Sequence, residues 1–322
     1  MPLCSRRDFI KASMSSLSWF LIPEEVLGLF QDSTPIKFGL ISDLHGEIIH
    51  DADLRLSVFL EEMAKEKPDA RIQLGDFATP DPKFHHLIQS FNRPSGKHFH
   101  VLGNHDSDGG YSVDEVCRAY GMESSYYSVE IAGIRMIFLN GNDPGSPSHR
   151  GGYPSYIGRE QQAWLTDQLD KATKPVLILS HQPIAGIYTI DNAEEIQRIL
   201  SRFAAKILLA VNGHAHVDQT LRVGGVNYLH LNSASYYWVG NNLAHLSLTP
   251  ELHQQYPAIQ NTCPYEEVLF STLTIEPTVG KVTVKGKKTR WIGPSPLELG
   301  YSILSPEQQK MHVMPQISDR VF

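Results

Sequence analysis

The sequence is poor in cysteine. Its three Cys, at positions 4, 117 and 263, lie far apart in a chain of 322 residues. No pair of them has the spacing of a thiolate zinc or iron–sulfur site, and three cannot form a disulfide framework. A chain of this length buries a sizeable core without such staples. Long apolar runs are also missing, since no segment approaches the ~20 apolar residues that span a bilayer. There is no internal repeat and no low-complexity tract. Positive charge is not in surplus: 28 Lys and Arg stand against 35 Asp and Glu, a formal net charge of −7. That balance argues against a nucleic-acid footprint covering the whole protein. Apolar residues make up 41% of the chain, a globular share that excludes a disordered or collagen-like chain. What the sequence does have is histidine, 15 residues of it. Any metal is therefore held by imidazole and carboxylate.

The N-terminus carries a paired-arginine run, Ser5-Arg6-Arg7-Asp8-Phe9-Ile10-Lys11, ahead of a modestly apolar stretch at 12–30. This arrangement resembles a bacterial twin-arginine export signal. Pro23, Glu24 and Glu25 interrupt the apolar part, leaving it too short for a spanning helix. An amphipathic helix with a chance Arg pair is the plainer alternative. The resemblance implies a signal segment at 1–34, recognition by the export machinery, and a periplasmic or secreted protein. It also implies a protein that folds before export, often around a cofactor.

Beyond residue 35 short apolar runs alternate with amphipathic ones. The pattern predicts strands at 36–42, 70–74, 97–102, 175–179 and 206–211, and a hairpin of 125–131 with 134–140 turning at Ala132-Gly133. Helices are expected at 53–66, 84–91, 113–120, 159–172 and 192–203. Later the signal is β, at 219–223, 226–231, 243–248, 268–276 and 281–291. Together they give an α/β fold with a mixed sheet, or with two packed sheets. Residues 142–154, rich in Gly, Pro and Ser, read as a long surface loop that either covers a site or merely connects.

Five of the apolar strands run into polar clusters: Asp43-Leu44-His45, Gly75-Asp76, Gly103-Asn104-His105-Asp106, His181, and Gly213-His214-Ala215-His216. Ligands in open α/β sheets bind at the carboxyl ends of strands, so these clusters share one rim. A lone histidine after a strand is an ordinary core histidine, and a lone Gly-Asp is an ordinary turn; five in this order are not. Imidazole with carboxylate and amide oxygen suits Zn, Fe or Mn rather than Ca or Mg. Two adjacent cations need an anionic ligand between them, and Asp76 is the candidate. Seven potential ligands exceed the four of a closed structural zinc site.

The set Asp43-x-His45, Gly75-Asp76, Gly103-Asn104-His105-Asp106, His181 and Gly213-His214-x-His216 resembles the motif series of the calcineurin-like metallophosphoesterases over residues 36–216. The resemblance implies two packed mixed β-sheets flanked by helices, a four-layer sandwich. It implies a catalytic domain at 35–262 with a β-rich extension at 263–322 packed on it. Asp43, His45 and His216 would hold one divalent or trivalent transition-metal ion (Mn, Fe or Zn), and Asn104, His181 and His214 a second. Asp76 would lie between them. His105 would protonate the leaving oxygen or steady the transition state while a metal-bound hydroxide attacks phosphorus. The expected partner is a small-molecule phosphoester, and no nucleic acid.

One position departs from the pattern. Where many members carry an acid three residues after the bridging Asp, this chain has Thr79; Asp81 or Asp106 can take that place. Tyr126-Tyr127-Ser128, the 138–143 stretch and Ser180-His181-Gln182-Pro183 are similar to two branches, the cyclic-nucleotide phosphodiesterase-like one and the ADP-ribose and CDP-alcohol diphosphatases. The second typically ends its first motif in Gln, and this chain has His45. Thr79 is also the ground for an alternative of another class, a metal-binding module with vestigial turnover. Tyr236, Tyr237 and Trp238 either stack a base or pack in the core. The other histidines at 85, 86, 98 and 100 read as surface or sheet-edge residues, and the basic run from Lys281 to Arg290 as a solvated strand face. If the arginine pair is the export determinant, replacing Arg6 and Arg7 together by Lys traps the protein in the cytoplasm on cell fractionation. An unchanged periplasmic yield would reject that assignment.

Overall fold

The computed structural model describes residues 22–30 and 33–322. The arginine pair and most of the expected export signal lie outside the described residues. Of that segment, Ile22 and Val26 are seen packed into the core. Among the described residues no helix is long and apolar enough to cross a membrane. Cys117 and Cys263 are free and buried.

Sixteen strands are present among the described residues. In chain order they are β1 (Ile36–Ile41), β2 (Ala70–Gln73), β3 (Lys97–His100), β4 (Tyr127–Ile131), β5 (Ile134–Phe138), β6 (Val176–Ser180), β7 (Ile207–Asn212) and β8 (Gln219–Val223). They continue with β9 (Val226–His230), β10 (Tyr236–Trp238), β11 (Thr262–Pro264), β12 (Ser271–Glu276), β13 (Lys281–Lys285), β14 (Lys287–Lys288), β15 (Gln316–Ile317) and β16 (Arg320–Val321). Two six-stranded sheets dominate, with orders β16-β13-β12-β1-β2-β3 and β4-β5-β6-β7-β9-β8. In the first, β1, β2 and β3 are parallel, β12 is antiparallel to β1, and β13 is antiparallel to β12. In the second, β5, β6, β7 and β9 are parallel and the edges β4 and β8 are antiparallel. The fold is α/β, two mixed sheets flanked by helices.

Alternating side chains explain the layers. Phe38 and Leu40 of β1 share one core with Leu177 and Leu179 of β6 and with Leu209 and Val211 of β7, so the sheets face each other. Ile178 of β6 points outward, to helices Arg159–Lys171 and Ala193–Arg202. Ile41 points to the other flank, where helices Ala52–Glu66, His85–Asn92 and Val113–Tyr120 pack. Strands buried on both faces read as continuous apolar runs, which is why the sequence located them. Gly39 lets the first flanking helix approach, because a Cβ there would overlap the Met63 thioether.

The C-terminal residues enter the first sheet directly. Ile275 pairs with Ile36 and Thr272 with Gly39, so β12 lies beside β1. Arg55, fully buried in the helix Ala52–Glu66, donates to the Tyr265 carbonyl at 2.6 Å and the Ala234 carbonyl at 3.3 Å and pairs with Asp51 at 2.7 Å. One expected strand is absent: residues 243–248 follow a 3-10 turn, Asn241–Leu243, as irregular chain. The segment pairs with none of the described strands, and Thr249 caps a short helix, Pro250–Gln255, just beyond. The expected strand at 281–291 divides at Gly286, and Lys287–Lys288 pairs instead with Gln316–Ile317. His98 and His100 do lie on the edge strand β3, but His100 is buried, with Nδ1 3.0 Å from the Gln73 amide and Nε2 2.8 Å from Asn92 Oδ1.

Phe138 joins the two sheets, its ring stacked on Tyr127 at 4.4 Å and set against Phe99 of β3 at 5.5 Å. Phe138→Ala is expected to lower the unfolding free energy by ~3–5 kcal/mol in equilibrium urea denaturation. A loss below ~1 kcal/mol would show that inter-sheet packing does not rest on this ring.

Candidate metal centre

The polar clusters lie at the carboxyl ends of β1, β2, β3, β6 and β7, and the two packed sheets bring those ends together. Asp43, His45 and His216 offer ligand atoms within 4.8 Å of one another, and so do Asp76, His181 and His214. Asp76 joins the groups, with Oδ2 at 3.0 Å from His181 Nε2 and 3.6 Å from His45 Nε2. The backbone strains to achieve this. Asp43, His45, Asp76, His214 and His216 all have φ between 51° and 64°. Left-handed conformations cost non-glycine residues ~1–3 kcal/mol each and persist at functional sites. Each such residue turns the chain sharply off its strand and aims a side chain at the rim. Gly103 allows a close approach, since a Cβ there would overlap the backbone N and Oδ1 of Asp76.

Hydrogen bonds fix which atoms are free to ligate. His181 Nδ1 donates to the Leu74 carbonyl at 2.8 Å, presenting Nε2 to Asp76. His45 Nδ1 lies 3.1 Å from Glu47 Oε1, and its Nε2 is buried without a hydrogen-bond partner. Asn104 Oδ1 is also buried and unpartnered. The Ser42 hydroxyl donates to Asp43 Oδ2, and the His214 backbone N–H donates to Asp43 at 3.1 Å. Orphaned imidazole nitrogen and amide oxygen beside two buried carboxylates are the donor set of a transition-metal site.

The electrostatics agree. Burial would raise the Asp43 carboxyl, but His216 outweighs it and holds it down to about 2. Asp76 is likewise buried, and His181 and its neighbours hold it well below the usual carboxylate range. Burial opposes charge on His181, yet Asp76 keeps it up at about 9. His214 goes the other way: burial and the charge of His181 push it to about 3. Two buried carboxylates thus demand positive charge at this spot, which bound cations would supply.

His105 stands beside this centre, its ring 5.2 Å from that of His45. Its backbone N–H donates to Asp76 Oδ1 at 2.8 Å. Its Nδ1 pairs with Asp108 Oδ2 at 2.7 Å, and the Tyr153 hydroxyl donates to Asp108 Oδ1 at 2.7 Å. Burial lowers His105, but Asp76 and Asp108 prevail and raise it to about 9. Neither Asp81 nor Asp106 orients this ring. Asp81 caps the turn at Lys83. Asp106 is buried accepting from the backbone N–H groups of Phe77 and Gly103, at 2.8 and 2.7 Å, and burial with Asp76 nearby pushes it up to about 7. The acid beside His105 is Asp108, which the sequence reading missed. An i,i+3 His–Asp pair in a loop has no periodic signal; the Asp-Ser-Asp run after His105 was its only trace.

A cleft of about 570 Å³ opens over the centre and is lined by His45, Asp76, His105, His214 and His216. Tyr236 forms its floor, its ring stacked at 5.0 Å on His45 and set 5.1 Å from His216. Tyr236 and Tyr237 are therefore packed, whereas Trp238 is open to the cleft. The loop at 142–154 is mostly exposed but delivers Tyr153 to His105, ring to ring at 4.7 Å.

A profile of the calcineurin-like phosphoesterases matches residues 36–218, more than half of the chain. The chain belongs to this family, which is dinuclear-metal dependent. Among curated proteins, none matches this sequence. Its fold is similar to that of a dimetal phosphatase from Danio rerio, with TM-score 0.53 and 16% identity over 80% of this chain and 98% of that one. It is also similar to GAP50, the anchor in the inner membrane complex of Plasmodium, with TM-score 0.52 and 14% identity over 80% and 88% of the two chains. At such identity the likeness is one of fold alone.

Elemental analysis after metal loading is expected to give two ions per chain, and Asp76→Ala to leave fewer than one. Full metal content in Asp76→Ala would show that Asp76 does not join the two groups.

Proposed function

We propose that this protein is an exported phosphoester hydrolase dependent on two transition-metal ions, acting on phosphomonoesters or phosphodiesters. The observation that carries the reading is the meeting of two buried ligand groups at Asp76, next to a histidine held by its own carboxylate. Asp43, His45 and His216 would hold one ion and Asn104, His181 and His214 the other, with Asp76 shared. When bound, such a pair supplies the positive charge that polarises a phosphoryl group and makes a water acidic enough to attack it.

The chain's own residues do the rest. With Nδ1 of His105 engaged by Asp108, Nε2 is left to give a proton to a leaving oxygen. Asp108 and Tyr153 fix the ring. Asp106 ties the loops after β2 and β3 together through backbone N–H groups. Asp108 beside His105 favours turnover over a module that only binds metal, because it supplies the acid that Thr79 lacks.

Metal-loaded protein is expected to hydrolyse p-nitrophenyl phosphate or its bis-ester; no metal-dependent hydrolysis of any ester would reject the reading. His105→Ala should lower kcat ~10²–10⁴-fold with metal content unchanged. Because His105 must be protonated, activity falls as pH rises past its value. Asp108→Asn removes a charge that raises that value, so the alkaline limb of the kcat profile should move to lower pH. Thr79→Ala should leave the profile in place.

A further inference from the structure

Among the described residues the cleft above the metal centre is aromatic and is lined by no Lys or Arg. Beyond the ligands, its walls are Tyr153, Tyr188, Tyr237, Trp238, Tyr301 and Ile303. They come from distant parts of the chain: the loop at 142–154, the loop after β6, strand β10, and the segment before the last helix. Three of these rings are left open, with Tyr153 45%, Trp238 42% and Tyr188 40% exposed, while Tyr237 and Tyr301 are buried behind them.

These rings are held in place with their hydroxyls already used. Tyr188 and Tyr301 share a hydrogen bond at 2.9 Å, and the Tyr237 hydroxyl donates to Tyr301 at 3.1 Å. The Tyr153 hydroxyl donates to Asp108. Tyr188 does this from a left-handed backbone, φ 53°, which a bulky residue keeps only where its surroundings enforce it. What the cleft offers a ligand is therefore ring faces, and aromatic faces stack on flat apolar groups.

Charge narrows the class further. The phosphoryl group of any ester must sit at the ligand groups. A diester brings one negative charge and two organic arms. A monoester brings two charges and one arm, and a diphosphate places a second charged phosphoryl group among the rings. Apart from His105 beside the ligands, no cationic side chain among the described lining residues would pair it there, and an unpaired charge against an apolar surface is strongly disfavoured. Arg150 and His149 of the nearby loop are exposed and do not line the cleft.

Resting on the reading of the site as a phosphoester hydrolase, we propose that its substrate is a monoanionic phosphodiester with at least one aromatic arm, seated on the exposed rings of Trp238 and Tyr188.

The test uses the full, metal-loaded chain. Turnover is compared for bis(p-nitrophenyl) phosphate, methyl p-nitrophenyl phosphate, p-nitrophenyl phosphate and ADP-ribose. Binding without turnover is measured by calorimetry with diphenylphosphinate, which has one charge and two aryl arms but no ester bond, and with inorganic phosphate. The bis-aryl diester should exceed the monoester and ADP-ribose in kcat/KM by at least ~10-fold. Trp238→Ala should weaken diphenylphosphinate ~10-fold and leave inorganic phosphate unchanged. Ile303→Ala, at a side chain 71% exposed and so dispensable for folding, should weaken diphenylphosphinate in the same direction. Ile303→Arg should raise ADP-ribose turnover relative to the diester. The proposal is overturned if the monoester or ADP-ribose matches the diester, or if both alanine variants bind diphenylphosphinate as the parent does. Failure to hydrolyse any ester, with diphenylphosphinate still bound more tightly than phosphate, would reject the hydrolase reading and uphold the preference of the cleft.

Discussion

One carboxylate between two imidazoles governs this molecule. Asp76 lies 3.0 Å from His181 and 3.6 Å from His45, and it is almost wholly buried. A buried charge is tolerable only when it is paired and hydrogen-bonded. Pairing it requires side chains from β1, β2 and β6 at one point, so two sheets must meet with their carboxyl ends aligned. It also requires five residues to leave their strands in a left-handed conformation. That local strain persists because the surrounding core, packed from both sheets, over-determines the turns.

Much of this was legible in the sequence. Asp43, His45, Asp76, His181, His214 and His216 each follow a continuous apolar run, and a parallel strand buried on both faces has that signature. Asn104 and His105 follow the shorter run of β3 in the same way. The signal failed where a residue is placed by contact rather than by period. Asp108 and Tyr153 meet His105 through loops, and nothing in their spacing marks them. Ala244, Leu246 and Leu248 carry a strand's alternation, but a strand needs a partner edge, which is a property of the whole fold. The three-residue pairing of Tyr236–Trp238 with Thr262–Pro264 is too short to show any period.

The histidines divide in an instructive way. His100 is as buried as the ligands, yet burial drives it down to about 3 and it serves as a neutral link between Gln73 and Asn92. His181 is buried too and His105 half-buried, yet both go up, because carboxylates face them. Burial alone does not separate a structural histidine from a functional one; the charge opposite it does.

The pairing of β12 with β1 has a consequence in time. Ile36 is made early and its partner Ile275 late. Synthesis proceeds at ~5–20 residues per second, so on the ribosome the edge of β1 waits on the order of ten to fifty seconds for its neighbour. An open, apolar strand edge is a template for the wrong partner. Until the last strands arrive, the nascent protein is exposed to misassembly at the strand that carries its first two ligands, Asp43 and His45.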